Sequence, residues 1–424
     1  MTTYISQDQH HGYEFTVPME DYILSAGILL EDENDGEALS MTPLDAASSF
    51  EIRGKVYGYA STGSIRTEAG QSSIVVARSG IVNGYNTIVA DVAGPIDITN
   101  HGYIDAINTA IVFNATSGTI SNDGLIYSRG LGTFSNDGLY SPGFAISVDG
   151  ESLTIENNGK ITGANGIYGS ATELSIHLGA ESEIRVHHDA IFMDYDAVSG
   201  NSVTVINEGV ISADRAFFGG AATTHFTNKG EIFGDVELSN GDDIYIEKGK
   251  LYGTLYGRDG SDTYVINSSR TRIEESTSGS LDTVKSSVSY SLERYSTGIE
   301  NLTLTGKKDI DATGSDYWHN ILIGNKGDNR LDGGTGDDTL TGGKGDDVFV
   351  FGAASNIDTI TDFQQDHDII EIHAPAISAF KDLNIYGNAG VVYITYSAEG
   401  DPLDRIVIQN ADAADFGKGD FIFV

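Results

Sequence analysis

Residues 324 to 350 repeat three times with a period of nine, and that period leaves few folds open. The units are Gly324-Asn-Lys-Gly-Asp-Asn-Arg-Leu-Asp332, Gly333-Gly-Thr-Gly-Asp-Asp-Thr-Leu-Thr341 and Gly342-Gly-Lys-Gly-Asp-Asp-Val-Phe-Val350. Each is a glycine-rich acidic hexad followed by three residues with an apolar centre, Leu331, Leu340 or Phe349. The hexad reads as a tight turn and the triplet as a short strand that buries its middle side chain. An apolar residue at every ninth position is not what a flexible acidic linker needs; it is what stacked coils need. The turn carbonyls and the sixth-position residues Asn329, Asp338 and Asp347 offer oxygen alone, a donor set that suits Ca2+.

A looser repeat precedes it. Asn100-His-Gly-Tyr-Ile104, Asn122-Asp-Gly-Leu-Ile126, Asn157-Asn-Gly-Lys-Ile161, Asn207-Glu-Gly-Val-Ile211 and Asn228-Lys-Gly-Glu-Ile232 share one pattern, with weaker forms at Gly54-Lys-Val56 and Gly80-Ile-Val82. The glycines fall at 54, 80, 102, 124, 159, 209 and 230, so the intervals are 26, 22, 22, 35, 50 and 21 residues. Recurrent Asn-Gly hairpins of a β-sandwich do not explain such an interval, whereas stacked coils do. Each coil is expected to send one Ile into the stack. Gly is expected to supply a positive φ at the corner, and Asn to tolerate one while bonding its own backbone.

The nine-residue units resemble the RTX consensus Gly-Gly-Xaa-Gly-Xaa-Asp-Xaa-apolar-Xaa, and the looser repeat resembles the right-handed parallel β-helices of bacterial surface and secreted proteins. The resemblance implies an all-β chain: a cap over 1–50, a parallel β-helix over 51–237, an RTX β-roll region over 238–350 and a C-terminal type I secretion region over 351–424. It implies several Ca2+ ions held by turns two repeats apart. The residues concerned are Gly324, Gly327, Asn329, Gly333, Gly336, Asp338, Gly342, Gly345 and Asp347, with Asp358 and Asp362 following. Asn329 departs from the consensus and brings no charge, so the ion that it shares with Asp347 is expected to be held less tightly. Degraded copies upstream, Asn240-Gly-Asp-Asp-Ile-Tyr-Ile246 and Gly257-Arg-Asp-Gly-Ser-Asp-Thr-Tyr-Val265, add Asp243 and Asp262. Leu302-Thr-Leu-Thr-Gly306 and Asn320-Ile-Leu-Ile-Gly324 read as roll strands with incomplete turns.

Charge agrees with a cation partner. Sixty-two acidic residues face 24 basic ones, a net charge of -38, which repels itself in any compact state. Nucleic acid is therefore a poor partner. There is no cysteine, which excludes disulfides, thiolate metal sites and a cysteine nucleophile. The first ten residues, Met1 to His10, lack the basic and apolar regions of a secretory signal, and no apolar run reaches the ~18 residues of a membrane helix. Export through a type I ABC exporter is the expected route. Its uncleaved signal would lie near Asp420-Phe-Ile-Phe-Val424, after Asp358-Thr-Ile-Thr-Asp-Phe363 and Asp366-His-Asp-Ile-Ile-Glu-Ile372. The protein is thus expected to be extracellular or bound to the cell surface.

For the solenoid, adhesion or attachment to exopolysaccharide is the leading expectation, with Tyr103, Tyr127, Tyr140, Tyr168 and Tyr195 available to stack on sugars. The alternative is a polysaccharide-active lyase or epimerase. Its candidate groups are His187, His188, Asp189 and Arg215, beside Arg185, Asp194, Asp196 and Asp214. No paired-carboxylate or metal-histidine spacing supports it, so an enzyme is the less favoured reading. A toxin or bacteriocin is a further alternative, although no segment resembles a membrane-inserting one. Residues 1–50 are less regular, with Ala26-Gly-Ile-Leu-Leu30 as the strand of the cap.

Overall fold

The computed structural model describes residues 2–5, 7, 13–15, 21–25, 27–32, 39–41, 49–58, 64–67, 72–130, 133–134, 140–141, 143–194, 200–276, 281–317, 319–353, 355–375, 377–388, 390–396 and 404–424. They are almost entirely short parallel strands, as the repeats require. The chain divides into two compact units, Met1–Gly241 with Lys248–Thr254, and Asp242–Glu247 with Leu255–Val424. No helix among the described residues is long and apolar enough to cross a membrane.

The first unit is a parallel β-solenoid with three faces. One face stacks Leu29–Asp32, Lys55–Gly58, Ile81–Gly84, Tyr103–Ala106, Leu125–Ser128, Lys160–Gly163 and Glu183–Val186 in register, then Val210–Phe218, Glu231–Glu237 and Lys250–Leu251. The isoleucines of the repeat form one column: Ile104, Ile126, Ile161, Ile184, Ile211 and Ile232 stack in order, all fully buried. Each buried Ile contributes roughly 1.5–3 kcal/mol by leaving water, so the column is a main source of stability. The strands reach further toward the N-terminus than residue 51. Ile5 pairs with Leu24, and Leu24 with Ile52. Ala26 lies outside the described residues.

The column also explains the uneven intervals. The 35-residue interval is one coil, since Ile126 pairs directly with Ile161; it carries an insertion containing the antiparallel pair Thr133–Phe134 and Tyr140–Ser141. The 50-residue interval is two coils. Its hidden member is Ile184, where Leu178 and Ser182 stand in for the Asn and Gly of the motif.

Neither motif residue works through a positive φ. Asn100, Asn122, Asn157, Asn207 and Asn228 are fully buried, and none has a left-handed backbone. Their side chains point inward and run from coil to coil. Asn100 Nδ2 donates to Asn122 Oδ1 at 2.8 Å, Asn122 Nδ2 to Asn157 Oδ1 at 2.6 Å, and Asn207 Nδ2 to Asn228 Oδ1 at 2.9 Å. The Oδ1 atoms of Asn100, Asn122 and Asn207 also accept from their motif glycines, Gly102 N at 3.0 Å, Gly124 N at 3.2 Å and Gly209 N at 3.2 Å. The glycines are needed for room. A Cβ on Gly124 would lie 2.2 Å from the Gly102 carbonyl, and one on Gly230 would lie 2.0 Å from that of Gly209. The turns are packed backbone on backbone.

In the second unit the chain winds between two parallel ladders. One runs Ile244–Glu247, Thr263–Ile266, Thr283–Ser286, Asn301–Leu304, Ile321–Ile323, Thr339–Thr341, Ile357–Ile360 and Arg405–Gln409. The other runs Tyr290–Ser291, Ala312–Thr313, Arg330–Asp332, Val348–Gly352, Ile369–His373 and Phe421–Phe423. Successive nonapeptides alternate between them: Leu331 and Phe349 pair across the second ladder, while Leu340 pairs with Leu322 and Ile360 on the first. All three apolar centres are fully buried. Two repeats make one coil, which brings turns two repeats apart into contact. An antiparallel meander of Asn384–Asn388, Val391–Thr395 and Arg405–Gln409 ends the first ladder.

Candidate metal centres

The turns stack through their acids. Asp338 Oδ1 accepts from Asn320 N at 2.7 Å, Asp347 Oδ1 from Asn329 N at 2.8 Å, Asp358 Oδ1 from Asp338 N at 3.0 Å and Asp368 Oδ1 from Asp347 N at 3.0 Å. One oxygen of each carboxylate thus fixes the coil behind it. The other oxygen of Asp338, Asp347 and Asp358 is enclosed and has no hydrogen-bond partner in the protein. A buried anionic oxygen left in this way is costly unless a cation meets it.

The glycines make the enclosure possible. A Cβ on Gly333 would sit 2.2 Å from Asp338 Oδ2, and one on Gly342 would sit 2.4 Å from Asp347 Oδ2. Gly336 (φ 132°) and Gly345 (φ 120°) hold corners with a positive φ, which favours glycine. Gly327 leaves room for the Lys308 carbonyl, which a Cβ would approach to 2.5 Å, and one on Gly324 would lie 2.6 Å from Asn329 Oδ1. Residues 319–357 match the family model of the RTX calcium-binding nonapeptide repeat, in four copies. This part of the chain is an RTX module. The match adds one copy to the three that the sequence displays. No curated protein matches the chain.

Two further residues of the expected set carry hydrogen bonds within the roll. Asn329 closes on itself: its Oδ1 accepts from Asn325 N at 2.7 Å and its Nδ2 donates to the Ile310 carbonyl at 2.8 Å. Asp362 clamps the third repeat, accepting from Gly342 N at 2.8 Å and Gly343 N at 2.9 Å. Of the expected acids, Asp338, Asp347 and Asp358 are those with an enclosed oxygen that has no hydrogen-bond partner among the described residues.

Burial raises all three carboxyls, Asp338 to about 7, Asp347 to about 6 and Asp358 to about 8, with neighbouring acids adding to the shift. In an unfolded chain they titrate near ~3.9. Between those values the folded state binds more protons than the unfolded one, so stability without Ca2+ falls as pH rises. Thermal melts in chelator are therefore expected to show the roll losing stability from about pH 4 to about pH 8. Ca2+ added at pH 7 is expected to release protons. A melting temperature that rises across this range would contradict the assignment.

The same architecture continues upstream of the matched repeats. Asp262 Oδ1 accepts from Asp243 N at 2.8 Å, Asp282 Oδ1 from Asp262 N at 2.8 Å, and Glu300 Oε2 from Asp282 N at 2.9 Å. Asp262, Glu275 and Asp282 bring carboxylate oxygens within 4.8 Å of one another. Tyr264 OH donates to Glu275 Oε1, and Glu275 Oε2 is enclosed without a partner. Burial pushes Asp262 to about 8, Glu275 to about 9 and Asp282 to about 6. Sequence reasoning named Asp262 of this cluster, with Asp243 beside it, and did not reach Glu275 or Asp282. Before Asp282 the sequence has Gly279 alone and not the repeat's spaced glycines, and Glu275 comes from Arg272–Glu275, outside any repeat. The available signal was Asp282-Thr-Val284, an acid two residues before a buried apolar residue, as in Asp262-Thr-Tyr264.

The solenoid candidates separate into two places. Arg215 is held: Nε donates to Asp189 Oδ1 at 2.7 Å, Nη1 donates to Glu237 Oε2 at 3.0 Å, and its guanidinium lies 4.4 Å from the Phe218 ring centre. With both carboxylates and a ring engaged, the group ties adjacent coils together. His188 is exposed, with Nδ1 3.7 Å from Asp214 Oδ2. Asp194 accepts from Tyr168 OH at 2.6 Å. His187 instead lines a shallow depression with Tyr127, Arg129 and Arg185. Tyr103 is half-buried beside Asp105, and burial raises its hydroxyl to about 12. Tyr195, Asp196 and the side chain of Tyr140 lie outside the described residues.

Proposed function

We propose that this chain is a secreted protein that leaves the cell through a type I ABC exporter, folds its roll on Ca2+ outside, and uses its solenoid for adhesion or attachment to exopolysaccharide. The observation that carries the reading is the row of enclosed, unpartnered oxygens on Asp338, Asp347 and Asp358 behind stacked glycine turns. Ca2+ supplies the positive charge that such oxygens lack. Carboxylate and carbonyl oxygens are the ligands that it takes.

Export follows from the same electrostatics. At the low Ca2+ of a cytosol, with a net charge of -38, the acids repel and the turns stay open. An open chain is what an exporter threads. Outside, Ca2+ at ~1 mM lies in the range of extracellular modules, and binding to the folded state alone becomes folding free energy.

Far-UV circular dichroism during a Ca2+ titration of chelator-stripped protein tests the reading. A cooperative rise in β signal is expected, weakened in Asp338→Ala and Asp347→Ala. A spectrum already fully β and indifferent to Ca2+ would overturn it.

A further inference from the structure

Beside the buried isoleucines, the outward side chains of the same solenoid face form a second column. In register from coil to coil it reads Tyr127, Thr162, Arg185, Ser212 and Phe233. Tyr252 follows, its ring parallel to that of Phe233 at 4.6 Å between centres and 5° between planes. Phe233 and Tyr252 are 41% and 55% exposed, a flat aromatic platform facing water. At the other end of the column, Tyr127 walls the depression that Arg129, Arg185 and His187 share.

The charge of that depression is opposite to that of the chain. Only 24 residues are basic against 62 acidic, yet among the described residues the depression is lined by two arginines and a histidine and by no acid. Glu183, the carboxylate beside it, is shared: it accepts from Arg185 Nε at 2.8 Å and pairs with Lys160 Nζ at 2.9 Å. Two cations against one anion leave a positive surplus. Arg129 is exposed and has no ion-pair partner among the described residues. One coil from Tyr127, Asp105 accepts from Asn83 Nδ2 at 2.9 Å.

We propose that this column is a binding track for a linear anionic polysaccharide, with Arg129 and Arg185 taking its acidic groups and Tyr127 and the Phe233–Tyr252 platform taking its sugar faces. The proposal rests on the reading that the solenoid attaches to exopolysaccharide, and it names the ligand class and the residues. The column advances about 4.8 Å per coil, so Tyr127 to Tyr252 spans roughly 24 Å of straight, open surface. A small anion would use only the depression. A polymer with regularly spaced acids and apolar ring faces would use both ends, cations for the acids and flat rings for stacking. Polyphosphate chains with stackable bases fit worse, because the rest of the molecule repels so dense a charge.

Affinity electrophoresis of the full chain at constant millimolar Ca2+ tests the track, in gels containing polygalacturonate, dextran sulfate, neutral dextran or single-stranded DNA. Carboxylated and sulfated ligands are thereby distinguished. We expect retardation by one or both anionic polysaccharides and none by dextran. Arg129→Ser with Arg185→Ser is expected to weaken it about tenfold or more, Arg185→Lys to restore part, and Phe233→Ser with Tyr252→Ser to weaken it independently of salt. Arg53→Ser with Arg78→Ser makes the same change in net charge elsewhere and should leave binding unchanged. Equal retardation of the Arg129/Arg185 variant would overturn the track while leaving polysaccharide attachment standing. No retardation by any polysaccharide would overturn both. Equal retardation by neutral dextran, or tighter binding of DNA, would overturn the choice of ligand.

Discussion

Replacing Asp338 and Asp358 together by asparagine is expected to give a roll that folds without Ca2+ and scarcely responds to it. An asparagine Oδ1 can still accept the N–H that each aspartate now takes, from Asn320 at 2.7 Å and from Asp338 at 3.0 Å. What disappears is the enclosed charge. Burial lifts these carboxyls to about 7 and about 8, so ionising them in the folded roll near neutral pH works against folding. Each pKa unit corresponds to about 1.4 kcal/mol, which puts the combined effect on the order of several kcal/mol. The module already contains the neutral form. Asn329 occupies a sixth position, and its Nδ2 satisfies the Ile310 carbonyl at 2.8 Å. Melts of the double variant in chelator should therefore exceed wild type by roughly 10 °C or more, with the Ca2+-induced increase largely gone. Alanine at the same positions should do the reverse, leaving the Asn320 and Asp338 N–H groups unbonded. An Asn variant that stays unfolded with and without Ca2+ would mean that the carboxylates build the turns rather than hold the ion.

The contrast between Asn329 and Asp338 also marks how far a sequence can be read. Period and polarity were legible: nine-residue spacing placed Leu331, Leu340 and Phe349 in the core, and the recurring Ile104, Ile126 and Ile161 announced a stacked column. These signals are strong because a solenoid repeats one local solution, and each coil must present an apolar residue at the same place. Ile184 escaped because a longer turn, Gly179 to Ser182, replaced the Asn-Xaa-Gly corner while the strand beyond it kept its register. Pattern matching follows the turn; the structure follows the strand.

Chemistry was less legible than fold. The sixth-position acids could be found because their spacing is fixed by the coil. Glu275 could not, since it comes from a strand outside the repeats and meets Asp262 and Asp282 only once adjacent coils have stacked. Arg215 lies 27 residues beyond His188 and meets it only because the coils stack, its N–H donating to the His188 carbonyl at 3.0 Å while its guanidinium engages Asp189 and Glu237. The positive depression draws Arg129 from one coil and Arg185 from two coils on, an arrangement that no short motif records.

The inward asparagines are the clearest case of a residue whose role only packing reveals, and they carry the largest expected effect in the solenoid. Asn122→Ala would remove the acceptor of Asn100 Nδ2, 2.8 Å away, and the donor to Asn157 Oδ1, 2.6 Å away. Both groups are fully buried and beyond the reach of water. Each unsatisfied group costs about 1–3 kcal/mol, so the substitution should cost on the order of 2–6 kcal/mol before the cavity is counted. Asn158, next to Asn157 in the same motif, is exposed, and its side-chain Nδ2 donates to Asp123 Oδ1 at 3.3 Å. Asn158→Ala should change stability by no more than about 0.5 kcal/mol. Urea denaturation of both variants in saturating Ca2+ makes the comparison. Similar midpoints for the two would mean that the ladder is incidental and that the isoleucine column alone sets the register; a large loss confined to Asn122→Ala would mean that each coil is keyed to the next by one amide.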